Sequence, residues 1–187
     1  MKKVILASGS PRRRELLSKL GIEFDVVPSN FEEQLDLSRP VTEVATELAK
    51  GKAIDVFRRH PDAIVIGADT IVSIDGKQLG KPRDFDEARQ MLESLRGRTN
   101  EVVTAIVVVS ADKTIEKVDT AQITLANFSD EMMEDYIATG EPMDKAGAYG
   151  VQSLPPAMIE RVDGDRETIM GLSTMIMHEI LDDFDVW

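Results

Sequence analysis

Two short stretches place charged side chains where a folded chain has reason to avoid them. In Ser8-Gly9-Ser10-Pro11-Arg12-Arg13-Arg14, three arginines follow a serine and a proline, residue types that open helices. The first turn of a helix has unpaired N–H groups and the positive end of its dipole, so cations there are disfavoured. Either these arginines are solvated, or an anion sits at the helix start. In the second case backbone amides, the Ser8 and Ser10 hydroxyls and the guanidinium forks of Arg12 and Arg13 would converge on phosphate oxygens. Arg14, next to Glu15, fits a solvated surface position. The other stretch is Ile64-Val65-Ile66-Gly67-Ala68-Asp69-Thr70-Ile71-Val72. Asp69 interrupts an apolar strand pattern, and a carboxylate there needs a partner, a metal or a solvent-filled cleft. The plainer alternative is a turn aspartate satisfied by backbone amides.

Three weaker signals accompany them. Lys81 lies between Gly80 and Pro82, a fixed loop that can offer a point charge to phosphate, or simply a surface lysine. Asp144, Lys145 and Gln152 stand among Gly147, Gly150 and small alanines; Gln152 has the donors and acceptor to read a base edge, against the plainer reading of a Gly-rich turn. Glu32 and Glu33 form an acidic loop, and one of them could join Asp69 around a divalent cation. His60 and His178 show no metal spacing, and the sequence has no GxSxG, P-loop, zinc or dinucleotide motif.

Composition narrows the classes. The chain has 187 residues, enough for one domain (1–187) with a sizeable core. Its net charge of −12 makes it a poor candidate for binding nucleic acid polymers or anionic membranes. That acidic background makes the local Arg cluster more informative. The absence of cysteine excludes disulfides, thiolate catalysis and zinc–thiolate sites. No apolar run approaches the ~20 residues of a membrane span, and the one at the N-terminus is too short for a signal peptide. The expected location is the cytoplasm.

The elements that must position these residues alternate along the chain. Strands are expected at 4–7, 24–27, 63–66 and 70–74, the last turning at Asp75-Gly76 into a hairpin. Further strands are expected at 102–109, 114–125, 157–162 and 167–170. Helices are expected after the Ser10 cap, over 41–59, 84–95 and 129–139, and over 172–181. Gly51 inside the second helix costs about 1 kcal/mol. The pattern is a mixed α/β domain.

Taken together, the segments "ILASGSPRRRELL", "GADTIV", "LGKPRD", "GRTNEVVTA" and "EPMDKAGAYGVQ" resemble the Maf family of nucleoside triphosphate pyrophosphatases, in the family's order and over almost the whole chain. The resemblance implies an α/β fold, a mixed sheet flanked by helices with two lobes around a central cleft, like that of the inosine triphosphate pyrophosphatases. It implies hydrolysis of a nucleoside triphosphate to monophosphate and pyrophosphate with Mg²⁺ or Mn²⁺, in a cytoplasmic homodimer. By position, Ser8, Arg12, Arg13, Glu33, Lys52, Asp69 and Lys81 would line the phosphate and metal site, with Asp69 the proton acceptor. Arg12, Thr70 and Gln152 match the specificity positions of the subgroup acting on dTTP and UTP. Two other readings are a nucleotide-binding regulator of cell division without catalysis, and a hydrolase that clears noncanonical purine triphosphates. The chain departs from the family pattern at Asn100, at Ser153-Leu154-Pro155-Pro156, at Arg166 and at Ser173. The departure after Gln152 bears on base selectivity.

Overall fold

A computed structural model describes residues 3–34, 36 and 38–186, which include every residue expected at the site. Among them, seven strands form one mixed sheet: β1 (Val4–Leu6), β2 (Asp25–Val26), β3 (Ile64–Ile74), β4 (Lys77–Leu79), β5 (Thr99–Val109), β6 (Thr114–Leu125) and β7 (Ile159–Asp163). The order is β2-β1-β3-β5-β6-β7, with β4 paired to β3. β1 runs parallel to β2 and β3, and the other pairings are antiparallel. The flanking helices are α1 (Pro11–Ser18), α2 (Val41–Arg59), α3 (Phe85–Leu95), α4 (Asp130–Ala138), α5 (Arg166–Met170) and α6 (Thr174–Asp182).

Three buried clusters share the sheet. Val44, Ala45, Leu48, Ala49, Ala53 and Val56 of α2 pack on one face, against Val65, Ala105 and Val107. Leu16 and Leu17 of α1 and Met177, Ile180 and Leu181 of α6 cover Ile66, Ala68, Ile106 and Val108 on the other. The alternation of Val65 and Ile66 between the two clusters is the period of two that a strand imposes. The third cluster joins α3 and α4 to Val72, Ile74 and Val102 at the far end of the long strands. β3 and β5 therefore run from one pair of cores into another.

Two expected elements take a different form. The segments at 63–66 and 70–74 are one continuous strand, in unbroken register with β5 from Val65–Val109 to Ser73–Glu101. Gly67 and Ala68 do not break it, because β-branched residues on both sides hold the ladder. The segment expected as a strand at 167–170 is the helix α5. The Asp165 side chain accepts from the Glu167 N–H at 2.9 Å, and Gly171 ends the helix in the left-handed region at φ 107°. Four residues are too few for periodicity to decide.

Two glycines let α2 approach. A Cβ on Gly67 would lie 2.3 Å from the Ala49 carbonyl oxygen and 2.9 Å from the Ala53 nitrogen. A Cβ on Gly51 would fall 2.4 Å from the Phe31 ring, so the helical cost of that glycine is offset by room for an aromatic side chain. Because the obstacles at Gly67 include helix backbone, they cannot rotate away. Gly67→Ala should lower the free energy of unfolding by about 3 kcal/mol, measured by urea denaturation. A loss below about 0.5 kcal/mol would mean that α2 moves aside freely.

Candidate active site

Asp69 and Thr70 occupy the middle of β3, between Ala68 of one core and Val72 of another. A cleft of about 650 Å³ opens there. Ser8, Arg12, Arg13, Glu33, Lys52, Asp69, Thr70, Lys81 and Gln152 all border it. The sequence-based expectation thus gathers in one place, from α1, the loop before α2, α2 itself, β3 and three further loops.

Asp69 is 5% exposed, and its Oδ1 accepts from the Lys52 ammonium at 2.6 Å. The same ammonium meets Glu33 Oε1 at 2.9 Å. Burial pushes the Asp69 carboxyl above the ordinary carboxylate value, although Lys52 and Arg13 oppose the shift. Burial also raises Glu33, but the hydrogen bond and charge of Lys52, with the charges of Lys81 and Arg13, hold it below its usual value. The turn aspartate satisfied by backbone amides is therefore not what forms. Asp69 is a strand residue with a lysine partner.

The loop that carries Glu33 is docked on α2. Asp55 Oδ2 accepts from the Asn30 N–H at 2.9 Å and the Ser29 hydroxyl at 3.1 Å, and the Phe31 ring rests over Gly51. Lys52 and the loop thus share one helical platform.

Arg13 is fixed from three sides. Its Nε donates to the Gly171 carbonyl at 2.9 Å, Nη2 to the Thr70 hydroxyl at 3.0 Å and Nη1 to the Ser8 hydroxyl at 3.4 Å. Of its five N–H groups, two remain for a ligand. Burial lowers its pKa, with Asp69 opposing, but a guanidinium keeps its charge. The Ser10 hydroxyl caps α1 by accepting from the Arg13 N–H at 3.4 Å. Arg12 is half-buried at the edge of the cleft, while Lys81 and Arg14 are exposed; of these three, Arg14 does not border it.

Lys145 borders the cleft but is not offered to it. Its three N–H groups are spent on the Glu141 carbonyl at 2.8 Å, Glu141 Oε2 at 2.7 Å and Asp144 Oδ1 at 2.9 Å. It fastens the wall that leads to Gln152. Thr104, on β5 opposite Thr70, went unnoticed in the sequence because a threonine in an apolar strand reads as a β-former.

The departures from the family pattern have structural partners. Asn100 is 1% exposed; its Nδ2 donates to the Ile123 carbonyl at 3.1 Å and its Oδ1 accepts from the Tyr149 hydroxyl at 2.6 Å. Leu154 enters the third core, the Ser153 and Tyr136 hydroxyls meet at 3.0 Å, and Ser173 caps α6. Arg166 is exposed.

Among the described residues, no group of three or more His, Asp or Glu is placed to hold a metal unaided. Of the carboxylates bordering the cleft, Glu141 and Asp144 are engaged by Lys145, while Glu33 and Asp69 share one cation, the Lys52 ammonium. Mg²⁺ is commonly held by one or two carboxylates and the phosphates of its substrate. This pair fits such an ion.

Asn100→Leu should cost about 1–3 kcal/mol, because it leaves the buried Tyr149 hydroxyl unpaired. Adding Tyr149→Phe should recover part of that loss in a double-mutant cycle followed by thermal unfolding. Strict additivity would mean that the two side chains are not coupled.

Among the described residues, no helix is long and apolar enough to cross a membrane. The chain is 43% identical over 184 residues to a dTTP/UTP pyrophosphatase of Pyrococcus furiosus, covering 97% of this chain and 95% of that one. It is 45% identical over 179 residues to one of Aquifex aeolicus, covering 96% and 94%. It is 42% identical over 185 residues to one of Bacillus velezensis, covering 99% and 98%. The family described as Maf-like protein matches residues 3–184, a span that contains every side chain of the cleft described above. With cleft, fold and relatives in agreement over nearly its full length, the chain belongs to the Maf family.

Proposed function

We propose that this protein hydrolyses nucleoside triphosphates, dTTP and UTP foremost, to the nucleoside monophosphate and pyrophosphate. The observation that carries this reading is the convergence of Arg12, Arg13, Lys52 and Lys81 with the buried carboxylate of Asp69 in one cleft. Relatives that align over nearly their whole length bear the name dTTP/UTP pyrophosphatase, which supports both the reaction and the substrates.

In this mechanism Arg12, Lys81 and the two uncommitted N–H groups of Arg13 hold the triphosphate. Asp69 accepts a proton from the water whose oxygen forms the new bond to the α-phosphorus. The bond from that phosphorus to the bridging oxygen breaks, and pyrophosphate leaves with the electron pair. Burial, which raises the proton affinity of Asp69, makes it a better base than a surface aspartate. Lys52 keeps Asp69 and Glu33 oriented, and its charge adds to the phosphate field. Glu33 and Asp69 would hold a Mg²⁺ or Mn²⁺ ion, which when bound screens phosphate charge and acidifies water. Thr70 and Gln152 border the cleft with hydroxyl and amide groups suited to a base edge. The same reading includes a cytoplasmic homodimer, on the strength of the family resemblance.

Asp69→Asn should remain folded and lose at least about two orders of magnitude in kcat, because proton removal of this kind contributes roughly 10²–10⁴-fold. Full activity in that variant would remove Asp69 from the role of base. With UTP, the wild type should release UMP and pyrophosphate in equal amounts, and a chelator should abolish the reaction. Orthophosphate as the product would overturn attack at the α-phosphorus. Undiminished turnover in the chelator would overturn the metal assignment.

A further inference from the structure

Behind Thr70 lies a chain of hydrogen bonds with a direction. The Thr70 and Thr104 hydroxyl oxygens are 2.8 Å apart, and Thr104 Oγ1 is 2.7 Å from the Thr168 carbonyl oxygen. Two oxygen–oxygen contacts this short each require a proton between them. Only two hydroxyl protons are available, and the carbonyl at the end can only accept. The one assignment that serves both contacts is Thr70 donating to Thr104, and Thr104 donating to Thr168. Arg13 can only donate, so its Nη2 takes one lone pair of Thr70 Oγ1 at 3.0 Å. The proton of Thr70 is thereby turned away, and the position left on its oxygen is an acceptor. Thr70 borders the cleft, whereas Thr104 is 2% exposed and does not border it.

We infer that Thr104 is a positioning residue that locks the Thr70 hydroxyl as an acceptor toward the cleft, so that the base subsite selects a ring N–H. This rests on the nucleotide reading above and extends it to the chemistry of the base. Uracil and thymine carry a donor at N3, between two carbonyls. Cytosine presents a lone pair at N3, which would face the lone pair of Thr70. A site built to pair one polar group rejects the analogue that cannot pair it. A merely structural role for Thr104, stapling β5 to α5, would affect all substrates alike.

The test measures kcat/KM for pyrophosphate release from UTP and CTP by the wild type, Thr104→Val and Thr104→Ser. Valine keeps the shape and frees the Thr70 hydroxyl to turn its proton into the cleft; serine keeps the relay. The wild type should prefer UTP. Thr104→Val should narrow the UTP-to-CTP ratio about tenfold, with CTP gaining relative to UTP, and Thr104→Ser should retain the wild-type ratio. An unchanged ratio in Thr104→Val, or an equal fall for both substrates, would overturn the inference. If the valine variant does not fold, Thr104→Ala is read in the same way, and wild-type turnover of CTP as efficient as that of UTP overturns the inference. Failure of the wild type to release pyrophosphate from any nucleoside triphosphate would overturn the proposed function and the inference with it.

Discussion

The contact between the Lys52 ammonium and the Asp69 carboxylate, 2.6 Å long and almost fully buried, is the constraint around which the rest is arranged. A carboxylate in the middle of a central strand costs several kcal/mol unless a cation meets it. To supply that cation, α2 must lie within the reach of a lysine from β3. The helix comes close enough only because Gly67 has no side chain to meet Ala49 and Ala53. Once α2 is seated, Gly51 and Asp55 on it hold Phe31, Ser29 and Asn30, and through them the loop with Glu33. A single electrostatic requirement thus sets a helix position, and the helix position sets a second carboxylate.

The cations of the cleft divide by mobility. Arg13 is tied to Gly171, Thr70 and Ser8, so its plane and two free N–H groups have a fixed place. Lys52 is tied to carboxylates. Lys81 is an exposed ammonium on a flexible four-carbon stem, able to follow a phosphate chain. This pairing of rigid and mobile charge suits a ligand whose reacting phosphorus must be placed while its outer phosphates only need neutralising.

Much of this was legible in the sequence because the signals were local. The Ser10-Pro11 start of α1, the α2 bounds at Val41 and Arg59, and the starts of α3 and α4 next to Asp84 and Ser129 all follow from neighbours within one turn. Asp69 announced itself because it violates an apolar pattern. What stayed hidden depends on long-range geometry. Gly67 and Ala68 look like a break in β3 because they are small, and only the pairing with β5 shows that the strand is continuous. Thr104 conforms to its strand and becomes informative only once the register sets it opposite Thr70. The role of Lys145 is not legible in its Gly-rich segment, because it depends on Glu141 and Asp144 consuming its donors.

Charge balance gives an independent reason to expect a divalent ion. The cleft offers four cations in Arg12, Arg13, Lys52 and Lys81, against Glu33 and Asp69. Lys145 is outnumbered by its own partners, Glu141 and Asp144, which border the same space. A bound triphosphate adds roughly four negative charges at neutral pH. The protein as a whole, at −12, supplies no surplus to cover the difference. With Lys52 engaged by two carboxylates, the side chains alone leave the phosphate chain under-neutralised in a partly buried place, where unbalanced charge is most costly. Under the proposed function Glu33 and Asp69 would hold a divalent cation, and its charge would offset that deficit. The carboxylates that make the cleft an unfavourable home for a bare triphosphate are the ones that would recruit the ion that makes it favourable.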